Sequence, residues 1–173
     1  MISKKIIKKA QKGDKSAFTA LINSINQDLY KLAKTKLTQE CDIYDAIQET
    51  IIASYQSLYK LSNYSKFKPW IYKILLNKCN DIYREKYKFN TISYDSNECE
   101  KYISTNLEFE SNIEFDNLLS SLEDEEKTII VLYYLEDFKS KEIANILKIN
   151  ENTVRSKILR AKRKIQKKFK EVL

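Results

Sequence analysis

Glycine and proline each occur once in this chain, as Gly13 and Pro69. A sequence so poor in turn formers has little means of reversing direction every few residues, as a sheet of hairpins requires. Its apolar residues instead recur at i, i+3, i+4 and i+7, the spacing that places them on one side of an α-helix. The chain is therefore expected to be all-α, and its 173 residues suit one large domain or two small ones.

A short helix ends near Gly13, after which Asp14 caps a helix whose apolar positions are Phe18, Leu21, Ile22, Ile25, Leu29, Leu32 and Leu37. A second helix starts at about Asp42. It places Ile43, Ala46, Ile47, Ile51, Tyr55 and Leu58 on its core side, with Asp42, Asp45, Gln48, Glu49 and Gln56 elsewhere as an exposed acidic edge. The polar break Leu61 to Lys66 precedes a third helix, Phe67 to Arg84, with Trp70, Ile71, Ile74, Leu75 and Ile82 as core and Pro69 in its first turn, where a missing N–H costs nothing. Periodicity then fades. The expected organisation is a helical domain over 1–86, a flexible linker over 87–112 and a second helical domain over 113–173, in which a helix from Glu125 to Leu135 packs Ile129, Ile130, Leu132 and Tyr133 inward.

The last third reads as a helix-turn-helix. Ile143, Ala144 and Leu147 share one face of a short helix, Ile149 plugs the crevice after it, and Asn150 is a good N-cap for a long helix with the stripe Val154, Ile158, Ala161 and Ile165. The opposite face of that helix carries Arg155, Lys157, Arg160, Lys162, Arg163, Lys164, Lys167 and Lys168. A basic run by itself is usually a solvated helix face. Behind a helix, a turn and an N-cap, it has the charge that a recognition helix needs to enter the major groove.

The formal net charge of +7 favours a polyanionic partner. No apolar run is long enough to span a bilayer, and the N-terminus lacks the apolar core of a signal peptide, so a cytoplasmic protein without membrane insertion is expected. Cys41, Cys79 and Cys99 are too widely spaced for a metal-ligand pattern and do not form an even disulfide set. With no histidine anywhere, His-based acid–base catalysis is excluded and neither a metal nor a cofactor is expected.

In order and spacing, several motifs resemble the extracytoplasmic-function group of bacterial sigma-70 family factors. They are Gly13-Asp14-Lys15-Ser16-Ala17-Phe18, Asp45-Ala46-Ile47-Gln48-Glu49-Thr50, Phe67-Lys68-Pro69-Trp70-Ile71-Tyr72-Lys73-Ile74 with Asn77, Asp81 and Arg84, then Glu142-Ile143-Ala144, Thr153-Val154-Arg155-Ser156 and Arg160-Ala161-Lys162. The resemblance covers nearly the whole chain and implies a region 2 bundle and a region 4 helix-turn-helix. Three positions depart from the pattern: Glu123 replaces a proline, Lys139 a serine cap and Lys148 a turn glycine. The last two are expected to weaken a cap and strain a turn by about 1 kcal/mol each.

The resemblance implies a non-enzymatic initiation subunit that binds core RNA polymerase and promoter DNA, with an anti-sigma factor as a further partner. Asp45, Gln48 and Glu49 would dock on the polymerase clamp. The break Ser62, Asn63, Tyr64, Ser65 and Lys66 would capture a flipped base of the −10 element, where amide, hydroxyl and aromatic groups can bond a base edge and stack on its face. Lys73, Asn77 and Arg84, with Lys68 and Lys78, would serve the nearby backbone. Asn152, Thr153, Arg155, Ser156 and Arg160 would face the −35 element, with Lys157 and Arg163 on phosphates, since the arginine fork pairs bidentately with guanine or phosphate. Two other classes fit a basic helix-turn-helix: a conventional regulator with a helical sensing domain, and a protein-binding decoy. Neither gives a reason for the Asp45 to Thr50 motif or the Phe67 to Arg84 segment.

Overall fold

The computed structural model of the protein describes residues 3–88, 117 and 119–172, and no strand occurs among them. The chain separates into two compact units, Met1–Glu108 and Phe109–Leu173. The linker expected over 87–112 and the start expected at Ile113 lie outside the described residues, apart from the last two residues of a helix that continues to Lys88.

Among the described residues the first unit packs five α-helices: α1 (Lys4–Gln11), α2 (Lys15–Asn23), α3 (Asn26–Ala33), α4 (Glu40–Ser57) and α5 (Phe67–Lys88). Asp14 caps α2 as expected, its carboxylate accepting from the Ala17 N–H at 3.0 Å. The single helix expected from Asp14 to Leu37 is broken. Ser24 turns its hydroxyl back onto the Leu21 carbonyl at 2.7 Å, and Ile25 leaves helical geometry at φ −127° while staying buried. Adjacent Asn23 and Ser24, which compete for backbone groups, make this the weak point of the helix.

The core side of α4 is Asp42, Ile43, Ala46, Ile47, Thr50 and Ser54, rotated from the expected stripe toward small residues. Small side chains let α5 approach closely. The hydroxyls of Thr50 and Ser54 are satisfied within their own helix, by the Ala46 carbonyl at 2.6 Å and the Ile51 carbonyl at 2.9 Å. Asp42, expected on the surface, is instead buried and paired with Lys86. Tyr55, expected in the core, is 45% exposed and meets Phe18 of α2 edge-on at 5.0 Å. On α5 the fully buried residues include Phe67, Ile71, Tyr72, Leu75 and Cys79, whereas Trp70 is half-buried beside Phe67. Burial pushes the Cys79 thiol up to about 12, which makes it inert. Cys41 is disulfide-bonded, which the odd cysteine count did not foreshadow.

In the second unit α6 (Asp124–Ile130) runs into a π-helical turn, Val131–Leu135, and α7 (Ser140–Leu147) and α8 (Glu151–Val172) form the helix-turn-helix. Its core holds Ile129, Leu132, Ile143, Ile146, Val154 and Ala161, while Tyr133 is 36% exposed rather than packed inward. The three departures from the family pattern each leave a local signature. The backbone N–H of Glu123, which proline would lack, donates to Glu126 at 3.2 Å. At Lys139 no side chain caps the first turn, and only the other half of a capping box is made, Glu142 accepting from the Lys139 N–H at 3.3 Å. Lys148 sits in the left-handed region at φ 57°, the strained turn that the lost glycine predicts.

Candidate functional site

The expected recognition helix starts where the sequence places it. Asn150 accepts from the Asn152 N–H at 2.8 Å, which caps α8 and orients its first turn. Arg155, Ser156, Leu159, Arg160 and Arg163 lie three, four, seven, eight and eleven residues after Asn152, so the six share one face. Arg155, Arg160 and Arg163 are exposed on it, and Arg155 is held by Glu151 one turn earlier at 2.6 Å. Ser156 is half-buried and donates to the Thr153 carbonyl at 2.9 Å, and Thr153 is itself half-buried. Leu159 is 51% exposed in the middle of this polar face, so it does not pack in the described unit. An apolar group there suits a thymine methyl.

The basic residues of α8 are not one face but two. Lys157, expected among the phosphate contacts, turns the other way and pairs with Glu125 at 2.6 Å, its side chain only 18% exposed. Lys164 pairs with Glu126 at 2.7 Å, and Lys168 donates to the Asn117 carbonyl and the Ser120 hydroxyl. Lys157 and Lys164, at i and i+7, tie α8 to the acidic start of α6, and Lys168, at i+11, ties it to the residues that precede that helix. That tie removes them from the outward charge. Helical angle was the usable signal in the sequence, since Lys157 lies on the side of the helix opposite Leu159.

The first unit carries two further surfaces. Asp45, Gln48 and Glu49 are all exposed on α4, with Ile52 next along the same face at 58% exposure. Partial desolvation raises the Asp45 carboxyl even at this exposed position, and Asp42 and Glu49 add to the effect against the opposing Lys86. Glu49 pairs with Lys78 of α5 at 2.8 Å. Sequence reasoning missed Ile52, and it placed Tyr55 in the core. Together with Phe18, Thr19 and Ile51 they line a shallow, mostly apolar groove between α2 and α4.

The second surface is the loop before α5. Asn63 accepts from the Ser65 N–H at 3.0 Å and from its hydroxyl at 2.7 Å, so its amide oxygen shapes the turn Tyr64–Lys66. Ser62, Asn63, Ser65 and Lys66 are exposed and Tyr64 is half-buried. On α5, Lys73, Asn77 and Arg84 are exposed on one face, and Asn80, which sequence reasoning missed, completes the spacing. Arg84 is engaged by Asp81, Lys68 pairs with Asp28 at 3.1 Å, and Lys78 is taken by Glu49, so the expected phosphate contacts are partly neutralised within the unit.

A helical unit with a capped, arginine-bearing recognition helix, in a chain whose other unit exposes an acidic helix face and a polar loop, defines a DNA-binding transcription protein. Residues 21–89 match Sigma-70 region 2 and residues 112–165 match Sigma-70, region 4. The chain is 30% identical over 154 residues to the RNA polymerase sigma factor SigV of Bacillus subtilis (strain 168), covering 88% of this chain and 91% of that one. It is 27% identical to the ECF RNA polymerase sigma factor SigW of the same organism, over 99% of both chains. Among solved structures it resembles CnrH in complex with the cytosolic domain of CnrY, with TM-score 0.67 and 22% identity over 96% of each chain. It also resembles the sigma factor RpoE in complex with the anti-sigma factor NepR from Bartonella quintana, with TM-score 0.67 and 19% identity over 88% of this chain and 96% of that one. The chain belongs to the sigma-70 family of RNA polymerase sigma factors, in its extracytoplasmic-function group. No described helix is long and apolar enough to cross a membrane.

Proposed function

We propose that this sigma factor divides initiation between its units. The first docks core RNA polymerase through Asp45, Gln48 and Glu49 and opens the −10 element through the loop 62–66 and the Lys73, Asn77 and Arg84 face. The second reads the −35 duplex through Asn152, Arg155, Ser156, Arg160 and Arg163. It acts in the cytoplasm, carries no polymerisation chemistry of its own, and is held inactive by an anti-sigma factor. The observation that carries this reading is the outward stripe of α8, where arginines flank an unburied Leu159 while the lysines on the other side are spent on α6. Such an arrangement supports base reading by bidentate donors and an apolar contact, beyond the attraction of a general cationic surface for phosphate.

Run-off transcription by purified core polymerase on genomic fragments tests it. Specific transcripts are expected only when the protein is added. A requirement for a second sigma factor would mark a conventional regulator, and inhibition would mark a decoy.

A further inference from the structure

The turn just before the −10 loop is built to present one aromatic ring. Leu58–Lys60 forms a single 3₁₀ turn, closed by the Leu61 N–H donating to the Leu58 carbonyl at 3.0 Å. Leu58 and Leu61, at its two ends, are buried. Gln11 of α1 fastens both ends from below, its amide donating to the Leu58 carbonyl at 2.9 Å and the Leu61 carbonyl at 2.7 Å. Anchored at each side, the turn exposes only Tyr59 and Lys60. Tyr59 is 67% exposed, the highest value among the exposed large apolar side chains of the described residues, and the Lys60 ammonium lies 5.5 Å from its ring centroid.

We infer that Tyr59 is a stacking platform for a base of the unpaired DNA strand, with Lys60 beside it to take the adjoining phosphate. The inference rests on the −10 reading of the loop 62–66. A tyrosine left in water on a turn held by two hydrogen bonds and two buried leucines does nothing for the core. An aromatic face with an adjacent cation is what binds single-stranded nucleic acid without regard to base identity. The ammonium occupies one face of the ring and leaves the other to a base. Gln11 acts as a positioning residue, because it fixes the turn and does not itself meet the strand. Tyr59 therefore adds affinity for melted DNA, while base preference stays with Asn63 and Tyr64.

The test uses holoenzyme assembled from core polymerase and full-length protein. Its probe is a fluorescent single-stranded oligonucleotide carrying the −10 element of a promoter found by run-off transcription. Tyr59→Ala and Tyr59→Leu should weaken binding of this strand by about 5- to 150-fold, with Tyr59→Phe close to wild type and the ranking of −10 base variants unchanged. Gln11→Ala should give a smaller loss in the same direction. Binding by Tyr59→Ala equal to wild type would overturn the platform alone, and so would a loss of core affinity in that variant, which would make Tyr59 a protein contact. A wild-type holoenzyme that failed to retain the strand would overturn the −10 reading and the platform with it.

Discussion

Lys164 of α8 donates to Glu126 of α6 at 2.7 Å, and that carboxylate is only 3% exposed. Burial alone would push Glu126 up. The Lys164 ammonium, the Glu123 backbone N–H and the field of Lys157 outweigh it and hold the carboxyl below its ordinary value of 4.5. In the same pair the Lys164 ammonium is held above its ordinary value, chiefly by its hydrogen bond to Glu126. The recognition helix is thus fastened to its unit by a buried charge.

A lowered carboxyl contributes stability that is fully present above its unfolded value and lost as pH falls through the lowered one. Glu126→Gln is accordingly expected to destabilise the second unit by about 1–3 kcal/mol at neutral pH, as for hydrogen bonds to charged groups. The difference from wild type should close below the ordinary carboxyl range. Amide hydrogen exchange over α6 and α8 of the full chain reads this directly. A gap that persists at acid pH would mean that the carboxamide fails for reasons of packing rather than charge.

Lys148 holds the turn of the helix-turn-helix at φ 57° and ψ 40°, where a Cβ is penalised. Lys148→Gly should raise stability by about 1 kcal/mol in chemical denaturation, since relief of that strain outweighs the added freedom of the unfolded chain. Asp137, at φ 55°, should gain less from the same change because aspartate tolerates this region better. Duplex binding should be unaltered, as Lys148 lies outside the outward stripe of α8. Equal gains at both positions would show that the side chain does not set the cost.

The helical class and the N-caps Asp14 and Asn150 were legible in the sequence because each depends on residues close in the chain, whereas the strained turn was legible only against the family pattern from which Lys148 departs. What escaped depended on angle and on partners distant in the chain. The 18-residue helix α4 is buried along Thr50 and Ser54 rather than Ile51 and Tyr55, because the close approach of α5 rewards small side chains over large ones. Asp42 went inside because Lys86, 44 residues later, meets it there. The lysines of α8 looked like a single basic face until Glu125 and Glu126 claimed Lys157 and Lys164. Composition counts charges but does not say which are already paired.

Asp45 carries a test of the docking face. Its carboxyl is raised by partial desolvation and by Asp42 and Glu49, so the stability linked to it is present below the ordinary carboxyl value and lost as pH rises through the raised one. At neutral pH the ionised group therefore costs the free protein stability. Asp45→Asn should leave thermal stability equal or higher while weakening the complex with core polymerase, and Asp45→Asn with Gln48→Ala and Glu49→Ala should weaken it by about 10-fold or more. Titration of labelled core polymerase measures the affinity and a melting curve the stability. Unchanged affinity in the triple variant would remove α4 from the interface.

The last prediction turns on the two sides of α8. Arg160 is exposed on the outward stripe, so Arg160→Ala should cost about 1–3 kcal/mol in binding a −35 duplex and relax preference at one base pair. Arg155 shares that stripe but is held by Glu151 at 2.6 Å, and the pair must reorganise before both guanidinium edges reach a base. Arg155→Ala should relax preference at a second position, and Glu151→Gln should raise duplex affinity, because a carboxylate near phosphates is removed and the arginine released. Lys157 faces Glu125, so Lys157→Met should reduce unit stability while leaving the salt dependence of binding nearly unchanged, whereas Arg163→Ala should lower the salt slope by about one. Duplex titrations with the holoenzyme at several salt concentrations, on a template already melted at −10 and on an intact one, separate these effects. If Lys157→Met lowered the slope as Arg163→Ala does, the lysine would reach DNA and the division of α8 into a reading side and a fastening side would be wrong.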